Sequence, residues 1–238
     1  MAETPTSEYL EFLQDAISSN GTVEILEVGG GPQTFVRHPD AVYTVLEFEE
    51  DTLATCKYAH RKMIGDAQTF DFGSMRFDVI VFWNVLEHIP DPSLAISNVM
   101  HSLRDGGLMV IRGPALKSLK AVVTRLTPHR FHVAYYRHIL GHKHAGSPGH
   151  APYVVAHSPQ ADAAELDGFL AAAGFRKIFG QEYDGDQVEL LKKYSYALFQ
   201  GYQIASRLIG RLSFGAVGGR KSDFVSVYRK LPGTTAPG

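Results

Sequence analysis

The chain has 238 residues, 45% of them hydrophobic and 20% charged, enough apolar material for one sizeable core, while a second full domain would be cramped. A net charge of −2 gives no overall pull toward nucleic acid or an anionic membrane, so any such affinity has to be local. The single cysteine, Cys56, excludes an internal disulfide, and the opening MAETPTSEYLEFLQ has acids among its apolar residues and no basic flank. No apolar run is long enough for a transmembrane segment, so the expectation is a cytoplasmic protein, monomer or homodimer.

In chain order, a leading helix over about Ser7 to Ser19 stops at Asn20-Gly21. Val23 to Val28 reads as the first strand, followed by three glycines and a short helical stretch around Gln33 to Arg37 that closes at His38-Pro39. Ala41 to Leu46 is the second strand, Glu49 to Ala59 a helix, Lys62 to Ile64 a short third strand and Phe77 to Trp83 a fourth. Pro92 to Leu103 reads as a helix and Leu108 to Arg112 as a fifth strand after the turn Asp105-Gly106-Gly107. A long irregular stretch follows, with prolines that argue against continuous helix. Asp162 to Ala173 is then a helix, Phe175 to Tyr183 a strand, Gln187 to Leu212 a helix and Asp223 to Arg229 the last strand. Strand alternating with helix implies a parallel, doubly wound α/β sheet.

The segment Ile25 to Pro32, ILEVGGGP, is the most informative. A strand that runs into consecutive glycines lets backbone N–H groups approach a ligand closely, although a plain strand-to-helix turn uses the same residues. In an open parallel sheet ligands sit beyond the carboxyl ends of the strands. Here the ends offer Glu27 and the glycines, then Glu47 about twenty residues on, then Asp66 in Gly65-Asp66-Ala67, then Asn84. Glu47 stands at the spacing for accepting bonds from ribose hydroxyls, and Asp66 could accept from an exocyclic amine. Four successive strand ends thus suit one nucleoside pocket.

These motifs resemble those of class I S-adenosylmethionine-dependent methyltransferases. Glu27-Val28-Gly29-Gly30-Gly31-Pro32-Gln33 is similar to the family's acid followed by G-x-G-x-G, with Gln33 in place of the third glycine. VLEFEEDTL resembles the second-strand acid motif, GDA at 65–67 the adenine-contact motif, FDVIVFWNVLEHIPD the fourth strand with its L-E-H signature, and LRDGGLMVIRGP the fifth. The resemblance covers about residues 21–113 and implies a mostly parallel seven-stranded Rossmann-like sheet with an antiparallel last strand. It also implies S-adenosylmethionine as cofactor, held by Glu27, Gly29, Gly30, Gly31, Glu47, Phe48, Asp66, Ala67, Asn84 and Val85. One domain, 1–238, then divides into an N-terminal helix at 1–20, a cofactor core at 21–113, a cap insertion at 114–160, closing helices and strands at 161–230 and a tail at 231–238.

Residues 115–158 contain no Asp or Glu but carry six Lys or Arg and seven histidines, which leaves 17 cations against all 25 acids elsewhere. An insertion at the carboxyl edge of the sheet is expected to cover the pocket and bind the acceptor, and a cationic, aromatic cap suits an anionic one. The implied reaction is methylation of a hydroxyl on a small metabolite, sugar or lipid-linked acceptor. The alternatives are an RNA or protein methyltransferase, an enzyme using the fold for a rearrangement, and a non-catalytic binder of the cofactor. Candidate bases are His132 and His129, which helical spacing puts near Tyr136, and then His88, whose other role is to start a helix. His142-x-His144 with His150 is the one metal-like spacing, but no carboxylate or thiolate lies nearby, and no metal is expected. Clustered cations with tyrosines also resemble a nucleic-acid groove, on a modest footprint. In the helix from Gln187, the row Leu190, Leu191, Tyr194, Leu198, Tyr202, Ile209 and Leu212 suits packing on the sheet, a dimer face, or an apolar wall for a lipid-like acceptor.

Overall fold

The computed structural model describes residues 7–17, 21–138, 141, 143–147, 152–153, 155–156, 158–214, 216–217 and 221–233. Seven strands form one sheet: β1 (Val23–Val28), β2 (Ala41–Glu47), β3 (Arg61–Ile64), β4 (Phe77–Trp83), β5 (Leu103–Pro114), β6 (Phe175–Tyr183) and β7 (Asp223–Lys230), in the order β3-β2-β1-β4-β5-β7-β6. The first five pair in parallel, and β7 runs antiparallel to both its neighbours. This is the doubly wound sheet expected from the sequence. β1 lies between β2 and β4, so the strand order reverses there, the place where open α/β sheets leave a crevice for ligands.

Both faces of the central strands are covered, which is why they read as unbroken apolar runs. Successive side chains alternate: Leu26, Leu46, Ile80, Phe82 and Met109 pack on one face, under α3 (Pro92–Met100) and α6 (Ala163–Ala172). Ile25, Tyr43, Val79 and Val110 pack on the other, under Tyr9, Leu13 and Ile17 of the N-terminal segment led by α1 (Ser7–Ala16). α2 (Glu50–Thr55) follows β2.

Four sequence expectations are corrected. Gln33 to Arg37 is not helical: the Thr34 hydroxyl accepts from the Val36 N–H and donates to the Glu27 carboxylate, and so short a stretch between Pro32 and Pro39 cannot nucleate a helix. The third helix stops at Met100 because β5 begins at Leu103, which pairs with Phe77, and the register then shifts before Val79. The stretch after β5 is not irregular throughout but holds α4 (Leu119–Leu126) and α5 (His129–His138), the break falling at Thr127-Pro128. The helix from Gln187 is two, α7 (Asp186–Tyr194) and α8 (Tyr196–Leu212), divided where the Ser195 hydroxyl caps Leu198 N–H.

A buried ion cluster fastens these additions to the sheet. Arg112 is the largest of the fully buried side chains; its guanidinium bonds the Asp223 carboxylate at 3.2 Å and the Tyr183 hydroxyl at 2.8 Å, and lies over the Trp83 ring. Lys120 of α4 reaches the same carboxylate at 3.0 Å, so Asp223 ties the cap to the β5–β7 ladder. Burial pushes the Asp223 pKa up, but Lys120, Arg112 and the Ser222 hydroxyl outweigh it and hold the group below its ordinary value. Removing one partner of a buried pair leaves uncompensated charge, at a cost of about 3–5 kcal/mol. Asp223→Ala should therefore lose about 3–5 kcal/mol of urea-denaturation stability at neutral pH. A group with a depressed folded pKa contributes stability that is present above its unfolded pKa and lost as pH falls through the folded one, so the difference from wild type should shrink in acid.

Candidate cofactor and acceptor site

The carboxyl ends of β3, β2, β1 and β4 lie side by side, and at about 4.8 Å per strand the first three span about 10 Å, the scale of a nucleoside. Glu47 pairs with Ile64 and Glu27 with Val45, so Glu47 closes β2 and Asp66 lies two residues past the end of β3.

The three glycines divide their work. Gly29 has φ +71, a conformation L side chains rarely adopt, and a Cβ on it would fall 2.3 Å from the Val85 side chain. A Cβ on Gly30 would fall 2.5 Å from Val45 and 3.2 Å from the Tyr58 hydroxyl. Gly31 alone faces open space, with nothing within 4 Å of where a Cβ would stand. The first two therefore serve packing against the β4 and β2 ends, and the third leaves backbone accessible.

The acids also divide. Glu27 is buried, and both carboxylate oxygens are taken within the protein, by the Thr34 and Tyr58 hydroxyls. Burial raises its pKa to about 7 against the pull of those two donors. Behind these residues, where the first crossover lacks a helix, lies a cavity of about 530 Å³ bordered by Gln33, Thr34, Arg37, Tyr43 and Tyr58; neither Glu47, Asp66 nor Asn84 lines it. Glu47 turns one oxygen to the N–H groups of Phe48 and Glu49, at 2.8 and 3.3 Å, which fixes the carboxylate at the strand end. Beside it the Phe48 ring is 73% exposed, an apolar platform on the open edge. Asp66 accepts from the backbone and side-chain amide of Gln68, and the Ala67 carbonyl accepts from Asn98. At the end of β4, Asn84 holds φ +54, which asparagine tolerates better than most residues, while its N–H donates to the Arg112 carbonyl.

The cap returns across this edge. Ala156 donates its N–H to the Glu87 carbonyl at 2.8 Å, and the Tyr153 ring meets His88 edge-on at 5.8 Å. The Tyr153 and Thr52 hydroxyls share a hydrogen bond, and burial, then the charges of Glu47 and Glu49, raise the tyrosine's pKa. Tyr153 therefore bridges from His88, past the end of β4, to Thr52 of α2, the helix that follows β2. Of the candidate bases, only His88 belongs to this edge, with Nε2 3.9 Å from Glu87 Oε1. His129 and His132 meet each other in α5, and His132 Nε2 lies 2.6 Å from the Thr127 hydroxyl within the cap. Among the described residues no three potential ligands cluster as a metal site; His142 and His150 lie outside them.

Sequence reasoning gave Glu87 no role of its own. It is buried beside Gly113 and Phe224, and burial lifts its pKa from 4.5 to about 7, with Asp223 adding and Lys120 opposing. The apolar residues around it in Val85-Leu86-Glu87-His88-Ile89 were the available signal.

The comparisons with known proteins agree with this fold. A family model described as a methyltransferase domain matches residues 2–178. No curated protein matches the chain in sequence. A S-adenosylmethionine-dependent methyltransferase from Methanosarcina mazei shares the fold at TM-score 0.54 and 14% identity, over 92% of this chain and 97% of that one. The N-methyltransferase NodS from Bradyrhizobium japonicum, solved with S-adenosyl-L-homocysteine, matches at 0.52 and 17%, over 94% and 86%. The [4+2]-cyclase SpnF matches at 0.54 and 15%, over 95% and 81%, so one fold serves more than one reaction.

Two predictions follow from the packing. Gly30→Ala should lower stability by about 1–3 kcal/mol in a denaturant titration, because Val45 must move, whereas Gly31→Ala should leave stability unchanged. For Glu87, a folded pKa raised above the unfolded one means stability is lost as pH rises between the two. Glu87→Gln should gain on wild type between about pH 4.5 and 7 and then hold an advantage of up to about 3 kcal/mol, read from stability against pH.

Proposed function

The chain belongs to the methyltransferase-domain family, and from that premise we propose that it methylates a hydroxyl of a small anionic acceptor, a sugar or lipid-linked metabolite, held between the strand ends and the cap. S-adenosylmethionine is the family's cofactor. The residues present fit it: Gly31 leaves space at the loop, Glu47 is a carboxylate fixed by two backbone N–H groups, and the exposed Phe48 ring offers a face for a base. Gly31 would receive the methionine portion, Glu47 the ribose hydroxyls, and Phe48 with Asp66 and Ala67 the adenine. Asn84 and Val85 would wall the reacting end, and Glu27, its oxygens already taken, would hold the loop in shape through Thr34 and Tyr58. Bound there, S-adenosylmethionine supplies an already activated sulfonium methyl group.

What remains for the protein is to orient the acceptor oxygen, exclude water and accept the hydroxyl proton. Tyr153 and Ala156 cover the edge through their contacts with His88 and Glu87. His88 Nε2 takes the proton, and an ionised Glu87 beside it stabilises the imidazolium that forms. The observation that carries this reading is the contact of Tyr153, in the acid-free cap, with His88 and with Thr52 of α2, which supports an aromatic cover at the strand-end edge.

Calorimetry with S-adenosyl-L-homocysteine tests the cofactor assignment. Glu47→Ala should weaken binding about tenfold or more, through loss of a charge-assisted contact, with the melting temperature of the free protein little changed. His88→Gln should bind the product like wild type and lose transfer of labelled methyl to acceptors in a cell extract, while His132→Gln transfers normally. Wild-type binding by Glu47→Ala, or full transfer by His88→Gln, would remove that residue from the scheme.

A further inference from the structure

α8 carries apolar residues on its outward side as well as its inward one. Its inward side includes the buried Ser206 and the partly buried Phe199 and Tyr202. Ile204, Leu208 and Leu212, at i, i+4 and i+8, form one stripe on the outward side; the first two are half exposed and Leu212 is 81% exposed. Just past the helix end, Phe214 is 99% exposed, with its N–H bonded to the Arg211 carbonyl. Arg207 and Arg211, both exposed, flank the stripe.

The charge along the surrounding sequence is one-sided. Residues 190–222 contain six Lys or Arg and no Asp or Glu, as does the cap stretch 115–158. Together they hold 12 of the 23 cations, leaving 11 against all 25 acids in the rest of the chain. The two stretches adjoin in the fold, through the Gln187–Tyr136 bond between α7 and α5 and the packing of α7 on α8. Lys117, Lys120, Lys192 and Lys221 of these stretches pair with the nearby acids Asp162, Asp223, Glu189 and Asp184, while Arg207 and Arg211 stand exposed beside the apolar stripe.

We propose that the outward face of α8 docks the protein on an anionic lipid bilayer. Aliphatic side chains and a terminal aromatic ring enter the interface while arginines beside them meet lipid phosphates. Among the described residues no helix is long and apolar enough to cross a membrane, so α8 lies on the surface. A second copy is the poorer occupant, because pairing two such faces brings Arg207 and Arg211 of each copy against their like. Single-stranded nucleic acid is poorer too, since the outward residues of the stripe are aliphatic and offer no stacking ladder. The surface is separate from the strand-end groups, and its test does not depend on methyl transfer.

The test is cosedimentation of the full chain with phosphatidylcholine vesicles, with and without phosphatidylglycerol as about a third of the lipid. Binding should appear with the anionic lipid, be at least about tenfold weaker without it, and fall with added salt. Ile204→Glu with Leu208→Glu should abolish it, and Arg207→Gln with Arg211→Gln should weaken it about 25-fold, at about fivefold per cation. Both variants should keep wild-type circular dichroism and melting temperature; if the glutamate pair does not fold, the arginine pair decides. No binding, equal binding to neutral vesicles, or no effect of the arginine pair would overturn the proposal. So would a homodimer that Leu208→Glu splits, or tighter salt-dependent binding to oligonucleotide than to vesicles.

Discussion

The close approach of the glycine loop to the ends of β2 and β4 is the constraint on which the rest of the site depends. Gly29 lies under Val85 and Gly30 under Val45, each with no room for a Cβ, so the chain leaving β1 is pressed into the crevice between the two neighbouring strands. That contact places Val85, and with it the Asn84 turn, at the rim of the loop. It also brings Tyr58 over Gly30 and onto Glu27, so the acid inside the loop stays buried and bonded. The outcome is a rigid wall on which one glycine, Gly31, remains open.

A second organising feature is charge. The sheet and its first helices carry most of the acids, while the two late additions carry none over long stretches. A single buried carboxylate, Asp223, holds these parts together by serving Arg112 of β5 and Lys120 of α4 at once. Because β7 runs antiparallel, its first residue arrives at the edge where the parallel strands end, opposite Pro114. The topology thus delivers the anchor of the cap to the same edge as the strand-end groups.

Much of this was legible in the residues. Phe77–Trp83 and Phe175–Tyr183 read as strands with the bounds they have, the alternation of strand and helix implied the parallel sheet, and the resemblance to the methyltransferase family implied the seven strands with an antiparallel last one. Pairings across long sequence separations were not legible. The Tyr58 hydroxyl reaches Glu27 across 31 residues and Arg112 reaches Asp223 across 111, and neither separation leaves a local pattern. Pro128 was read as a breaker, yet a proline just ahead of a helix leaves its N–H bonds intact, so α5 begins directly after it. The histidines of PHRFHVAYYRH ranked ahead of His88 in sequence, and it is the path of the cap that brings His88 rather than them to the strand-end edge. The glycine run signalled a site but not which glycine is open, because that depends on Val45, Tyr58 and Val85.

The account rests on one nucleoside lying across the ends of β3, β2 and β1. A crystal structure of the protein with S-adenosyl-L-homocysteine tests this most directly. The account predicts ribose hydroxyls on the Glu47 carboxylate, the base against Phe48, and the amino-acid portion over Gly31, with Glu27 still bonded to Thr34 and Tyr58. Density for the ligand elsewhere, such as in the cavity behind the first crossover with Glu47 uncontacted, would contradict it.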